Sequence, residues 1–315
     1  MSAPPPLPDQ LAPDIAALLP ELSPLLTPPA REVGLAAARD RFARLLTRGL
    51  AGGPDVPSTD VRLDGGLPAR VSRPADPGGA TVVFLHGGGW TLGDVACYDG
   101  LARRIADQVG AVVVSVDYRR APEHPFPAAV EDAVAATRWA LEHAAELGGD
   151  PHRVAVAGDS GGGNLAAVVC QELRDAHGPQ PAAQLLLYPN VARGADAPSV
   201  RAFGDLPFLS LSDMAWYTRQ YVPRGGDLGD PRISPLEGHV AGLPPALVVT
   251  AGVDPLHDSG RDYAEAIRAH GGPVEWLDVP DMPHGFAHLV ALAPSAEAAL
   301  RRVLTHFRRL LHGGE

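Results

Sequence analysis

At 315 residues the chain is longer than an average domain but suits a single α/β core, and a hydrophobic content of 45% is enough to pack one. A formal net charge of −11, with acidic and basic residues interspersed, argues against a nucleic-acid-binding surface. All 26 cationic side chains are arginine, which removes Schiff-base chemistry, Ser-Lys dyads and the P-loop lysine. The 35 glycines and 33 prolines stay below the roughly 25–30% that marks low-complexity disorder. Cys97 and Cys170 are far apart and read as packed thiols. No His-Glu-x-x-His or Cys-x-x-Cys occurs, so neither a metal nor a cofactor is expected. The first cation after Met1 is Arg31, which leaves no basic signal-peptide opening. No apolar run nears the roughly 20 residues that span a bilayer. The expected location is the cytoplasm, without stable membrane insertion.

Residues 1–30 hold nine prolines among short apolar pieces, which predicts an irregular, partly extended lead-in. A helix is predicted over 32–46, with Val33, Ala37, Phe42 and Leu45 among its apolar positions. Residues 59–63 and 67–72 flank Asp64-Gly65-Gly66 and read as a hairpin. Strand-like runs at 81–85, 111–116, 154–157, 185–187, 246–250 and 274–279 then alternate with helix-like stretches. Such alternation means βαβ crossovers and a mainly parallel sheet covered on both faces. The regularity fails over 191–235, which carries Phe203, Leu206, Phe208, Leu209, Met214, Trp216 and Tyr217. Long insertions of this kind serve as lids or binding elements. The expected organisation is one domain over 1–315, with a cap formed by about 1–50 and 191–235.

Gly158-Asp159-Ser160-Gly161-Gly162 directly follows the run 154–157 and directly precedes a helix-like stretch. Glycines flanking the serine allow a sharp strand-to-helix turn, because side chains there would collide with neighbouring backbone. Three more segments end strand-like runs: His86-Gly87-Gly88-Gly89-Trp90, Asp254-Pro255-Leu256 and His284-Gly285-Phe286. In open α/β sheets, chemistry collects outside the carboxyl ends of the strands. A serine hydroxyl needs a base to take its proton. An imidazole, titrating near about 6.5 when unperturbed, suits that task, and a carboxylate fixes its tautomer. His284 and Asp254 fill these roles, with His288 and Asp258 as alternatives. The N–H of Gly161, at a helix start, and those of Gly88 and Gly89 are the candidate donors to a developing oxyanion. His86 is read as fixing the glycine loop through hydrogen bonds. Trp90, Phe208 and Trp216 are the candidate substrate contacts. Asp117, Arg119, Glu123 and His124 read as an ion-paired brace under the active-site loops.

These four segments, together with Tyr118-Arg119-Arg120-Ala121-Pro122-Glu123-His124-Pro125-Phe126-Pro127-Ala128, resemble those of the hormone-sensitive-lipase-like carboxylesterases. The resemblance spans roughly residues 60–310. It implies an α/β-hydrolase fold: a mainly parallel twisted sheet with helices on both faces and a helical cap. It also implies a catalytic triad in the chain order Ser160, Asp254, His284, an order that favours Asp254 and His284 over their alternatives. The expected reaction is hydrolysis of short to medium acyl esters, with a small-molecule ester as partner and a homodimer as a compatible assembly. One departure stands out: the residue after the nucleophile is usually alanine in this family and is Gly161 here, which loosens the turn. Three rival readings remain. Gly161-Gly162-Gly163-Asn164-Leu165-Ala166 fits a dinucleotide fingerprint, but the next strand ends Leu187-Tyr188-Pro189-Asn190 without the acid that would hold a ribose. A non-catalytic receptor on the same fold would be expected to lack a triad member, and an amidase or peptidase would use the same residues on a harder bond.

Overall fold

Valine-rich runs such as Ala80–Leu85 and Ala111–Val116 are buried along their whole length in the computed structural model, which describes residues 8–192 and 196–313. β-Branched side chains fit a pleated surface, and burial on both faces explains why these runs do not alternate with polar residues. The elements in chain order are α1 (Pro13–Leu26), α2 (Ala30–Val33), α3 (Leu35–Gly49), β1 (Ser58–Arg62), β2 (Pro68–Ser72), β3 (Ala80–Leu85) and α4 (Asp99–Val109). Then come β4 (Ala111–Val116), α5 (Ala128–His143), β5 (Val154–Asp159), α6 (Gly161–Asp175), β6 (Ala183–Leu187), α7 (Pro198–Phe203) and α8 (Leu211–Tyr221). The chain closes with β7 (Ala246–Val253), α9 (His257–Ala269), β8 (Val274–Pro283) and α10 (Pro294–His312).

The strands form one sheet in the order β1-β2-β4-β3-β5-β6-β7-β8. Only the β1/β2 and β2/β4 pairs are antiparallel; β3 to β8 run parallel with β4. Side chains on a strand point alternately to its two faces, so each run supplies two cores. On one face Val82, Phe84, Val113, Leu185 and Val249 meet Leu101 and Ile105 of α4 and Leu300 and Phe307 of α10. On the other, Val83, Leu85, Val114, Val156 and Val248 meet Ala133 of α5, Leu165 of α6 and Tyr263 of α9. Each large side chain removed from water in this way contributes roughly 1.5–3 kcal/mol before chain entropy is set against it. The strand order reverses beside β3, between β4 and β5, and such a switch point opens a crevice at the carboxyl ends of the strands.

The hairpin forms as the sequence predicts, with Thr59 opposite Val71. The lead-in differs. Residues 1–7 lie outside the described residues, but 13–26 are helical despite Pro20 and Pro24. Pro13 occupies a first-turn position that needs no N–H donor. Ile15 and Leu22 are fully buried in the main core, and Asp14 accepts hydrogen bonds from Ser295 N–H at 2.9 Å and its hydroxyl at 2.6 Å, docking α1 on α10. Tertiary burial thus overrides the proline signal. The helix predicted over 32–46 is α3, beginning after Gly34, whose φ of 79° separates it from α2. The irregular insertion contains α7 and α8, the latter opened by a capping box in which Ser210 and Asp213 satisfy each other's backbone N–H groups. Among the described residues no helix is long and apolar enough to cross a membrane.

Candidate active site

The turn between β5 and α6 is built around glycines whose missing side chains can be accounted for atom by atom. A Cβ on Gly158 would stand 2.8 Å from Gly163 N, and one on Gly162 would stand 2.6 Å from the His86 carbonyl oxygen, with the Leu85 oxygen nearer still. Both contacts are with backbone, which cannot swing aside. Ser160 between them has φ 53° and ψ −118°, outside the comfortable regions for an L residue. The strain holds its hydroxyl out beyond the carboxyl edge of the sheet.

Two segments from distant parts of the chain extend a line of hydrogen bonds from that hydroxyl. His284, from the loop after β8, has Nε2 at 2.9 Å from Ser160 Oγ. Its Nδ1 lies 2.7 Å from Asp254 Oδ2. Asp254 is fully buried at the end of β7, and its other oxygen accepts the Leu256 N–H at 2.8 Å. The carboxylate therefore fixes Nδ1 as the protonated nitrogen and leaves Nε2 free to accept a proton from the serine. The two alternatives are committed elsewhere. Asp258 accepts the Ser199 N–H at 2.8 Å and pairs with Arg261 at 3.0 Å, while His288 Nε2 faces Asp159 Oδ2 at 3.0 Å.

The glycine loop after β3 lies against the serine turn. Gly88 and Gly89 have φ of 98° and 57°, conformations that an L side chain resists. A Cβ on Gly161 would sit 3.3 Å from Gly89 N, Gly89 Cα and Trp90 N, so the first residue of α6 touches the loop through backbone alone. The N-terminus of α6 adds the positive end of its dipole. Backbone N–H groups and a helix start gathered beside Ser160 are the elements that an anionic oxygen there would require. His86 opens the loop from a buried position, its Nδ1 2.9 Å from Gly87 O and its ring stacked on Tyr118 at 4.2 Å. Desolvation lowers its pKa and keeps it neutral. These contacts fit its expected role in fixing the loop.

A cavity opens in front of Ser160 and His284, about 120 Å³ of it within reach of the centre of a water molecule. Leu25, Leu26, Phe42, Phe208, Met214 and Tyr217 supply much of its apolar wall. Phe208, one of the expected contacts, borders this cavity. Trp90 also borders the cavity, but it is buried and stacked on Tyr221 at 4.4 Å. Trp216 departs from expectation: it does not border the cavity but packs with Ala30, Ala38 and Leu92. On α8 the neighbouring Tyr217 takes the cavity side, and its ring covers Gly89 so closely that a Cβ there would stand 2.7 Å from Cδ1. Tyr188 is a further residue the motifs do not mark, its ring edge-on to the His284 imidazole at 5.0 Å.

The expected brace is also wired differently. Glu123 accepts two hydrogen bonds of 2.7 Å from Arg39 of α3, and the guanidinium holds its carboxyl down at about 2. Arg39 further reaches Thr91 O at 3.0 Å and Ala121 O at 3.1 Å. Arg119 pairs with Glu131 and Asp132, each at 2.9 Å, rather than with its sequence neighbours. Cys97 and Cys170 are free, and burial pushes the Cys97 thiol up to about 12. Among the described residues no group of three or more His, Cys, Asp or Glu could hold a metal ion.

Comparison with known proteins agrees with this architecture. A family model described as alpha/beta hydrolase fold matches residues 82–288. The chain is 47% identical over 266 residues to the carboxylic ester hydrolase LipN of Mycobacterium tuberculosis, covering 80% of this chain and 70% of that protein. It is 37% identical over 246 residues to an ethyl acetate hydrolase of Pseudomonas putida, covering 76% and 77%. Among solved structures, a hyperthermophilic esterase from the archaeon Pyrobaculum calidifontis superposes with a TM-score of 0.88 at 36% identity, covering 96% of this chain and 99% of that one. A sheet with its switch point beside β3, a serine on a strained turn at that point and relatives of this kind place the chain in the α/β-hydrolase family, in its hormone-sensitive-lipase-like branch.

Proposed function

We propose that this protein is a carboxylesterase that cleaves short to medium acyl esters through an acyl-enzyme on Ser160. The observation that carries the reading is the unbroken relay from Ser160 Oγ to His284 at 2.9 Å and from His284 to Asp254 at 2.7 Å. As Oγ attacks the ester carbonyl, His284 Nε2 takes its proton, and Asp254 stabilises the resulting imidazolium. The carbonyl oxygen becomes an anion facing the N–H groups of Gly88, Gly89 and Gly161. Collapse of this intermediate expels the alcohol, which leaves with the proton from Nε2, and the acyl group stays on Ser160. Water then attacks the acyl carbonyl, again deprotonated by His284, and the acid departs with Ser160 restored.

The aliphatic and aromatic part of the cavity wall supports an uncharged acyl group of modest length, and the relative named for ethyl acetate hydrolysis supports the short end of that range. The cap of the reading comprises α1 to α3 and the insertion carrying α7 and α8. In support, the Ala30 N–H donates to Asp213 Oδ1 at 3.1 Å, and both parts contribute to the cavity wall. The test is rapid mixing with p-nitrophenyl esters of increasing chain length. A burst of p-nitrophenol equal to the enzyme concentration, with the acyl group recovered on Ser160, is expected. Ser160→Ala should abolish the burst and lower kcat by something on the order of 10⁶ if the triad acts as a unit. A folded variant that keeps near-normal hydrolysis would refute the assignment.

A further inference from the structure

Asp159, the residue before the serine, is fully buried and takes no part in the proton relay. Its carboxylate faces donors from three separate segments. Oδ1 accepts the Gly87 N–H at 2.8 Å, from the glycine loop. Oδ2 accepts the Tyr98 hydroxyl at 3.1 Å, from the residue that caps α4. The same oxygen lies 3.0 Å from His288 Nε2, on the short turn four residues beyond His284. Tyr98 and His288 also approach each other at 3.1 Å, which closes the cluster. The fit to the loop leaves no slack, since a Cβ on Gly87 would stand 2.9 Å from Asp159 Cγ.

Hydrogen bonds to an ionised acceptor are shorter and stronger than neutral ones, and removing the acceptor leaves buried donors unpaired. Asp159 is covalently joined to Ser160, Gly87 precedes the two oxyanion-loop glycines, and His288 follows the catalytic imidazole. One carboxylate therefore ties the nucleophile strand, the oxyanion loop and the histidine loop together. We infer that Asp159, with Tyr98 and His288, is a positioning device that sets the oxyanion loop against Ser160. The inference rests on the triad reading above and assigns none of the three a contact with substrate.

Positioning predicts losses in kcat rather than KM, because the N–H groups of the loop matter most when the oxyanion forms. Loss of one oxyanion donor, or displacement of the site by about 1 Å, costs on the order of 10² in rate. Asp159→Ala should therefore lower kcat by about that factor while KM stays within about threefold. Asp159→Asn keeps the shape and an acceptor for Gly87, and should recover most of the loss. Tyr98→Phe removes a single donor and should cost less. A trifluoromethyl ketone, whose adduct with serine places an oxyanion in the hole, should weaken in parallel with kcat/KM across the three variants.

The measurements are kcat and KM on p-nitrophenyl butyrate, the ketone inhibition constant, circular dichroism for folding and phosphonate labelling of Ser160. A folded Asp159→Ala with unchanged kcat, a loss confined to KM, or a ketone affinity that does not follow kcat/KM would overturn the inference. Were Asp159→Ala unable to fold, Asp159→Asn and Tyr98→Phe carry the test, and wild-type kcat with wild-type ketone affinity in Tyr98→Phe would overturn it. Absence of phosphonate on Ser160 in the wild-type protein would instead refute the triad reading.

Discussion

At the scale of single residues, geometry separates groups that look interchangeable along the chain. Asp254 and Asp258 are four apart, yet only Asp254 reaches the imidazole, at 2.7 Å. Asp254→Asn keeps the shape but cannot stabilise imidazolium, and should cut kcat by about 10⁴ with the fold intact. Asp258→Asn should leave kcat nearly unchanged; the reverse outcome in steady-state kinetics would reassign the acid. Neighbouring glycines diverge in the same way. Gly162→Ala drives a methyl into the Leu85 and His86 carbonyls, and should destabilise by about 1–3 kcal/mol or more in chemical unfolding. Gly161 lacks a positive φ, and its Cβ would meet backbone at 3.3 Å, a tight contact that a shift of a few tenths of an ångström in the neighbouring loop would relieve. Gly161→Ala should thus gain up to about 1 kcal/mol from a stiffer unfolded chain, with kcat within a few-fold. A large loss of stability in Gly161→Ala would show that the oxyanion loop cannot give.

At the scale of elements, strands and their ends were legible, while helix faces were not. Short β-branched runs bounded by turn residues read as buried strands, and the motifs sit at their carboxyl ends, so the candidate site residues could be gathered without tertiary information. Which of Trp216 and Tyr217 faces the cavity depends on how α8 is rotated, and that is decided by α2 and α3, some 180 residues upstream, as in the Ala30–Asp213 contact with its separation of 183. The Asp159 cluster was hidden for the same reason, since its side-chain partners lie 61 and 129 residues away. Helix α1 escaped notice because its prolines were weighed locally and its burial is not local. The two aromatic positions of the insertion should separate experimentally. Trp216→Ala empties a packed site, and buried Trp→Ala changes cost about 3–5 kcal/mol, so unfolding should show a large loss with the ester chain-length profile unchanged. Phe208→Ala should shift the ratio of kcat/KM between short and longer esters and cost less stability than Trp216→Ala, because Phe208 lines the cavity and is only half-buried against the core. A Trp216→Ala protein with wild-type stability and an altered profile would place that ring in the substrate path.

At the scale of the whole molecule, two buried or half-buried histidines outside the relay, His257 and His86, tilt stability against pH in opposite directions. His257, at the start of α9, lies 3.2 Å from Asp278 of β8 and 3.3 Å from Asp258. The hydrogen bond to Asp278, reinforced by Asp258, raises its pKa above the ordinary histidine value. A group held above its unfolded value stabilises fully while both states are protonated, and loses that contribution as pH climbs through the folded pKa. Buried His86 acts oppositely: desolvation lowers its pKa, so acid favours the unfolded chain, which can take up the proton. His257 should therefore steepen the decline on the alkaline side, and His86 the decline on the acid side. His257→Gln isolates the first effect, because it keeps a hydrogen-bonding side chain and removes the titrating charge. The stability difference between wild type and His257→Gln, measured by urea unfolding, should be largest below about pH 6 and shrink as pH rises beyond about 6.5. Asp278 is also held low by His257 and by the Thr250 hydroxyl at 2.8 Å, so it stays ionised throughout this range and does not distort the comparison. A difference that is constant, or that grows with pH, would mean that His257 is neutral in the folded protein and that α9 is fastened to β8 by packing instead.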